Sequence, residues 1–77
     1  MTPTDFILRG DHITLDALLK ATGLAASGGH AKQLIADGRA QVNGEVDTRR
    51  GRKLRAGDRV QLAGQQVRVL GAAADTP

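Results

Sequence analysis

The sequence predicts an α+β domain in which two short packed helices are followed by a small, mostly antiparallel sheet. Three observations carry this prediction. Apolar residues recur at helical spacing as far as Gly38. Beyond Gly38 the apolar period falls to two. Asn43-Gly44 then interrupts the alternating stretch as a strong hairpin signal, and Ala63-Gly64 marks a later turn.

Taken in order, Asp5 to Ile13 holds two apolar fragments, Phe6 to Leu8 and Ile13, split by Gly10 and Asp11. They read as an entry strand and a turn. Leu15, Leu18, Leu19 and the methyl of Thr22 form one face of a first helix, with Asp16 and Lys20 opposite as an (i, i+4) pair. Thr14 is placed to cap this helix and Gly23 to end it. Ser27 is the N-cap of a second helix whose inner face is Ala31, Leu34 and Ile35, with its stop at Gly38. The connection from Gly23 to Ala26 is short enough to hold the helices together, with Leu24 available to plug their junction.

Ala40, Val42 and Val46 are the apolar positions of the first hairpin. Leu54, Val60 and Leu62 continue the sheet past a turn at Ala56-Gly57-Asp58, and Val67 and Val69 alternate with Gln66 and Arg68. Residues 71–77 are small and polar and read as a frayed tail. With no internal repeat or interdomain linker, residues 1–77 read as one domain.

A chain of 77 residues buries a modest core and has room for one task. Phe6 is its only aromatic residue, so it lacks the ring platform on which single-stranded nucleic acids usually stack; recognition through backbone and shape remains open. The absence of cysteine excludes disulfides, thiolate catalysis and cysteine zinc sites. His12 and His30 have no ligand spacing, so no metal is expected. There is no nucleophile–base pair, no paired carboxylates and no nucleotide-binding phosphate loop, so the reading is not an enzyme and requires no cofactor or small-molecule substrate. No apolar run is long enough to span a bilayer, and Met1 to Asp5 lacks the pattern of a signal peptide; a cytoplasmic protein without a membrane partner is expected.

The net charge of +3 is moderate, but its distribution is uneven. Six of the eleven basic residues, Arg49, Arg50, Arg52, Lys53, Arg55 and Arg59, fall in one stretch that contains a single acid, Asp58. Gly51 and the flanking strand-like segments make this a loop that projects its cations toward a polyanion. Arg49, Arg50, Arg52 and Lys53 are the expected phosphate contacts. Arg55 and Arg59 read equally well as strand residues paired with Asp47 or Asp58.

The second helix offers another candidate surface. Gly29, Gln33 and Ala36 lie opposite its apolar stripe, with Lys32 on the flank. If Gly28 and Gly29 are helical, each sacrifices up to ~1 kcal/mol relative to alanine, and close approach of a partner supplies a reason. The free N–H groups of the first turn then meet a phosphate, with Ser27, His30, Lys32 and Gln33 around it. Alternatively, the two glycines merely lengthen the loop and the helix starts near His30.

The series Ala26-Ser27, Ala31-Lys32-Gln33-Leu34-Ile35, Gly38, Val42-Asn43-Gly44 with Val46, and Gly57-Asp58-Arg59-Val60 resembles the RNA-binding domain of ribosomal protein S-four, the alpha-L RNA-binding motif. The resemblance spans about residues 14–62 and is to the small free-standing bacterial members. It implies an L-shaped surface of two helices and a hairpin that grips structured RNA, ribosomal or transfer RNA, with the ribosome among the candidate partners and the protein acting as a monomer. Ser27, Lys32 and Gln33 would set orientation, and Arg39 would bridge the helix to the arginine loop, placed opposite the Ser27 helix start. Family members more often carry arginine where this chain has Gly28, which shifts weight to the arginine loop. The rival reading is a protein-interaction module that docks its basic loop on an acidic partner.

Overall fold

A computed structural model describes residues 4–71 of the chain. Its elements are β1 (Thr4–Ile7), β2 (Ile13–Thr14), α1 (Leu15–Ala21), α2 (Gly28–Ala36), β3 (Ala40–Val42), β4 (Glu45–Val46), β5 (Lys53–Leu54), β6 (Arg59–Leu62) and β7 (Gln65–Leu70). Five strands form one sheet in the order β1-β7-β6-β3-β4, antiparallel except where β1 runs parallel to β7. β2 and β5 form a separate two-stranded ladder. The expected two helices and mostly antiparallel sheet are present; of the expected tail, residues 72–77 lie outside the described residues.

The two-residue turns follow from backbone conformation. Asn43 and Gly44 have φ of +53° and +89°, the left-handed pair that a type I′ hairpin requires. This turn makes Val42 and Glu45 the closing pair and therefore sets Val46 opposite Gln41, on the solvent side of the sheet. Val46 is 54% exposed, so it does not extend the inner row of Ala40 and Val42 as the alternation suggested.

Leu15, Leu18 and Leu19 of α1 pack with Ala31 and Ile35 of α2, and the inner residues of β3, β6 and β7 close the core beneath them. Leu54 joins this core from the small ladder, paired with Ile13, rather than from the main sheet. At the helix junction Ala25 is the fully buried plug, tied by its N–H to the Leu19 carbonyl at 3.0 Å, and Leu24 is half-buried beside it.

The helix ends also differ in part from expectation. Thr14 occupies the N-cap position of α1, but its hydroxyl donates to Asp16 Oδ1 at 2.7 Å and makes no side-chain cap. The Asp16 carboxylate also accepts from the Ala17 N–H, and no Asp16–Lys20 ion pair forms among the described residues. α2 ends as anticipated: Gly38, at φ +75°, closes it with N–H bonds from Gly38 to Ile35 and from Arg39 to Leu34.

Candidate nucleic-acid interface

The arginine loop is anchored by an acid. Asp47, 7% exposed, is the only buried charged side chain among the described residues. Its Oδ1 accepts from the Arg49 backbone N–H at 2.9 Å and from Arg49 Nε at 3.1 Å. Its Oδ2 accepts from Arg49 Nη2 at 3.0 Å and from Arg52 Nη1 at 2.8 Å. Hydrogen bonds from the Arg49 side chain, opposed by burial and helped by the Arg49 backbone N–H and Arg52, hold the carboxyl well below its ordinary range. Asp47 reciprocally raises the Arg49 guanidinium above its ordinary value. Arg49 remains 70% exposed and Arg52 33%, so both keep donors free on the solvent side.

Backbone contacts fix the other side of the loop. The Arg52 carbonyl accepts from the Leu15 N–H at 2.9 Å, and the Arg50 carbonyl from the Asp16 N–H at 3.1 Å. The loop thus satisfies two of the orphan donors that begin α1. With its carbonyl turned inward, Arg50 leaves an exposed side chain without an ion pair among the described residues. Lys53 follows on β5, opposite Thr14 and exposed.

The pairing considered for Arg55 and Arg59 does not form. Asp47 is taken by Arg49 and Arg52, while Asp58 accepts from the Arg55 backbone N–H at 2.8 Å and from Asn43 Nδ2 at 3.0 Å. Asn43 Oδ1 in turn accepts from the Arg59 N–H at 2.9 Å. These bonds use backbone, so both guanidinium groups stay exposed and unpaired among the described residues.

At α2 the helix begins at Gly28, which decides against the lengthened-loop reading. Ser27 Oγ accepts from the His30 N–H at 3.1 Å, and His30 Nδ1 accepts from the Ala26 N–H at 2.9 Å. The Ser27 hydroxyl caps the first turn, and the His30 ring reaches back one residue beyond the cap, to the Ala26 N–H, where a capping box would bond the Ser27 N–H itself. The N–H groups of Gly28 and Gly29 have no hydrogen-bond partner among the described residues, and a Cβ on Gly28 would meet nothing within 4 Å. Lys32 is exposed and forms no ion pair among the described residues, whereas Gln33 donates to the Asp37 carboxylate at 3.3 Å.

The two candidate surfaces are tied to different ends of α1. The loop docks on the start of α1, while Ser27 follows Ala25, which is bound to the other end of that helix. The seven residues of α1 put about 10 Å between those ends. Arg39 lies just beyond the C-terminal end of α2, where it borders a depression with Gln41 and Gln61.

A sequence model of the S4 domain matches residues 6–70. The chain belongs to the S4 domain family. Among S4-type relatives, Escherichia coli (strain K12) YbcJ is 44% identical over 59 residues, covering 77% of this chain and 84% of that protein. The probable ribosome maturation protein RlbA of Bacillus subtilis (strain 168) is 46% identical over 52 residues, covering 68% and 73%. The solution structure of E. coli YbcJ, described as revealing an alpha-L motif involved in RNA binding, superposes with a TM-score of 0.70 at 39% identity, covering 91% of this chain and 90% of that one.

Two features of this S4 domain were not read from its sequence: Asp47 as the anchor of the loop and His30 as part of the helix cap. Both had a local signal. Asp47 stands two residues before Arg49, the spacing at which an aspartate side chain reaches a backbone N–H. Ser27 and His30 have the spacing of a capping box.

Proposed function

We propose that this protein binds structured RNA, ribosomal or transfer RNA, as a non-catalytic factor in RNA or ribosome metabolism. The observation that carries the proposal is the anchored loop. It presents Arg50 and Lys53 without acidic partners among the described residues while holding Arg49 and Arg52 in fixed positions with donors to spare. Charges held in place lose little entropy on meeting a phosphate backbone, and arginine forks suit paired phosphate oxygens. Arg55, Arg59 and Lys32 extend the field, and the free N–H groups of Gly28 and Gly29 add a phosphate site at the far end of the helix pair. The alpha-L motif ascribed to YbcJ and the maturation role in the name of RlbA support the same reading.

The test is fluorescence anisotropy with bulk ribosomal RNA and transfer RNA across a salt series. Affinity is expected to fall with salt, by a slope of roughly 0.7–0.9 per contacted phosphate. Arg50→Ala with Lys53→Ala is expected to weaken binding and lower the slope by about 1–2 while the fold persists. Salt-independent binding, or a double variant indistinguishable from the parent, refutes the reading. Capture of an acidic protein that survives ribonuclease would favour the interaction-module reading instead.

A further inference from the structure

The geometry points to Asp47 as the positioning residue of the RNA-binding loop, an acid whose removal weakens binding although it makes the protein more positive. The inference rests on the RNA-binding reading above and adds the source of the loop's order.

On charge alone, Asp47 opposes a polyanion, and replacing it with a neutral residue should strengthen binding. The contacts argue otherwise. Asp47 spans the loop by holding Arg49 through a fork and the main chain, and Arg52 through a single donor. Between the two arginines, the Arg52 N–H closes a turn onto the Arg49 carbonyl at 3.1 Å. The same segment sends the Arg50 and Arg52 carbonyls to the start of α1. Without the carboxylate, two guanidinium groups lose their shared acceptor, and an exposed glycine-containing turn regains its freedom. Ordering it again would fall to the RNA.

Glu45 supplies the control. It is exposed, forms no ion pair among the described residues, and lies beside the same hollow as Asp47 and Arg49. Glu45→Gln and Asp47→Asn raise the net charge equally, and Asp47→Glu keeps the charge but displaces the carboxylate.

The experiment measures anisotropy with bulk ribosomal RNA for these three full-length variants, with hydrogen exchange at the Leu15, Asp16 and Arg49 amides. Asp47→Asn and Asp47→Glu are expected to bind about three- to tenfold more weakly, and Glu45→Gln equally well or up to about threefold more tightly. The three amides should exchange faster in both Asp47 variants. The Asp47→Asn loss should shrink below about twofold in an Arg49→Ala, Arg52→Ala background, as a residue acting through those arginines requires. Tighter binding by Asp47→Asn, or unchanged exchange at the three amides, overturns the inference; should Asp47→Asn not fold, Asp47→Glu decides. A parent chain that binds no RNA but whose Asp47 variants exchange faster would instead overturn the RNA-binding reading alone.

Discussion

The carbonyl oxygen of Arg52 accepts a hydrogen bond from the N–H of Leu15 at 2.9 Å, so the putting-in-place of the arginine loop and the capping of α1 are one event. A helix of seven residues is too short to persist by itself, and its first turn is completed here by main chain from residues far along the sequence. Loop and helix therefore stabilise each other.

The caps of the two helices should respond differently to substitution. Thr14→Ala removes a hydroxyl that bonds Asp16 rather than a first-turn N–H, so it should cost no more than about 0.5 kcal/mol. Ser27→Ala leaves the His30 N–H without its acceptor and should cost about 1 kcal/mol. Urea unfolding of the two variants makes the comparison; an equal cost would show that Thr14 caps α1 in solution.

Ala63 occupies the first turn position between β6 and β7 with φ of +53°, a conformation that asparagine or glycine adopts at lower cost. Ala63 is exposed, and Gly64 follows at φ +80°. Ala63→Asn should raise stability by about 1 kcal/mol and leave RNA affinity unchanged. Thermal melting reads the gain.

These turns show which parts of the fold were legible in the sequence. Leucine spacing marked α1, and Asn43-Gly44 marked the first hairpin, because both are local rules. Exposure of Val46 follows from turn length, a rule equally local but applied only once register is fixed. The parallel pairing of Thr4–Ile7 with Val67–Leu70 joins opposite ends of the chain and leaves no local trace. The candidate site divides in the same way. The density of arginine was visible, but which arginines meet an acid depended on tertiary geometry: Arg49 and Arg52 took Asp47, while Arg55 and Arg59 pair with no acid among the described residues.

The Asp47 carboxylate should give stability a defined acid dependence. Its folded-state value is depressed from an ordinary 3.8, so the unfolded chain takes up the proton more readily as pH falls. The contribution is complete above about pH 5 and is lost progressively as pH drops through 3.8 toward the folded value. Asparagine does not titrate. The stability difference between the parent and Asp47→Asn should therefore be about 1–2 kcal/mol at neutral pH, moderated by solvent around Arg49, and should narrow below pH 4. Urea titrations at several pH values test this; a difference that does not vary with pH would mean that the acid's charge adds nothing.

Gly28 and Gly29 should set stability against binding. Both are helical and exposed; a Cβ on Gly28 would meet nothing within 4 Å, and one on Gly29 would meet Ser27 Oγ at 3.9 Å, an ordinary contact. Nothing inside the protein requires glycine there, so alanine at either position should stabilise the chain by up to ~1 kcal/mol. If the unpartnered N–H groups of this turn receive a phosphate, an added methyl group obstructs the approach, and affinity for ribosomal RNA should fall several-fold as stability rises. Anisotropy and thermal melting on the same samples give both quantities. A stabilised Gly28→Ala, Gly29→Ala chain that binds RNA as tightly as the parent would remove the α2 start from the interface and leave the anchored loop to carry it.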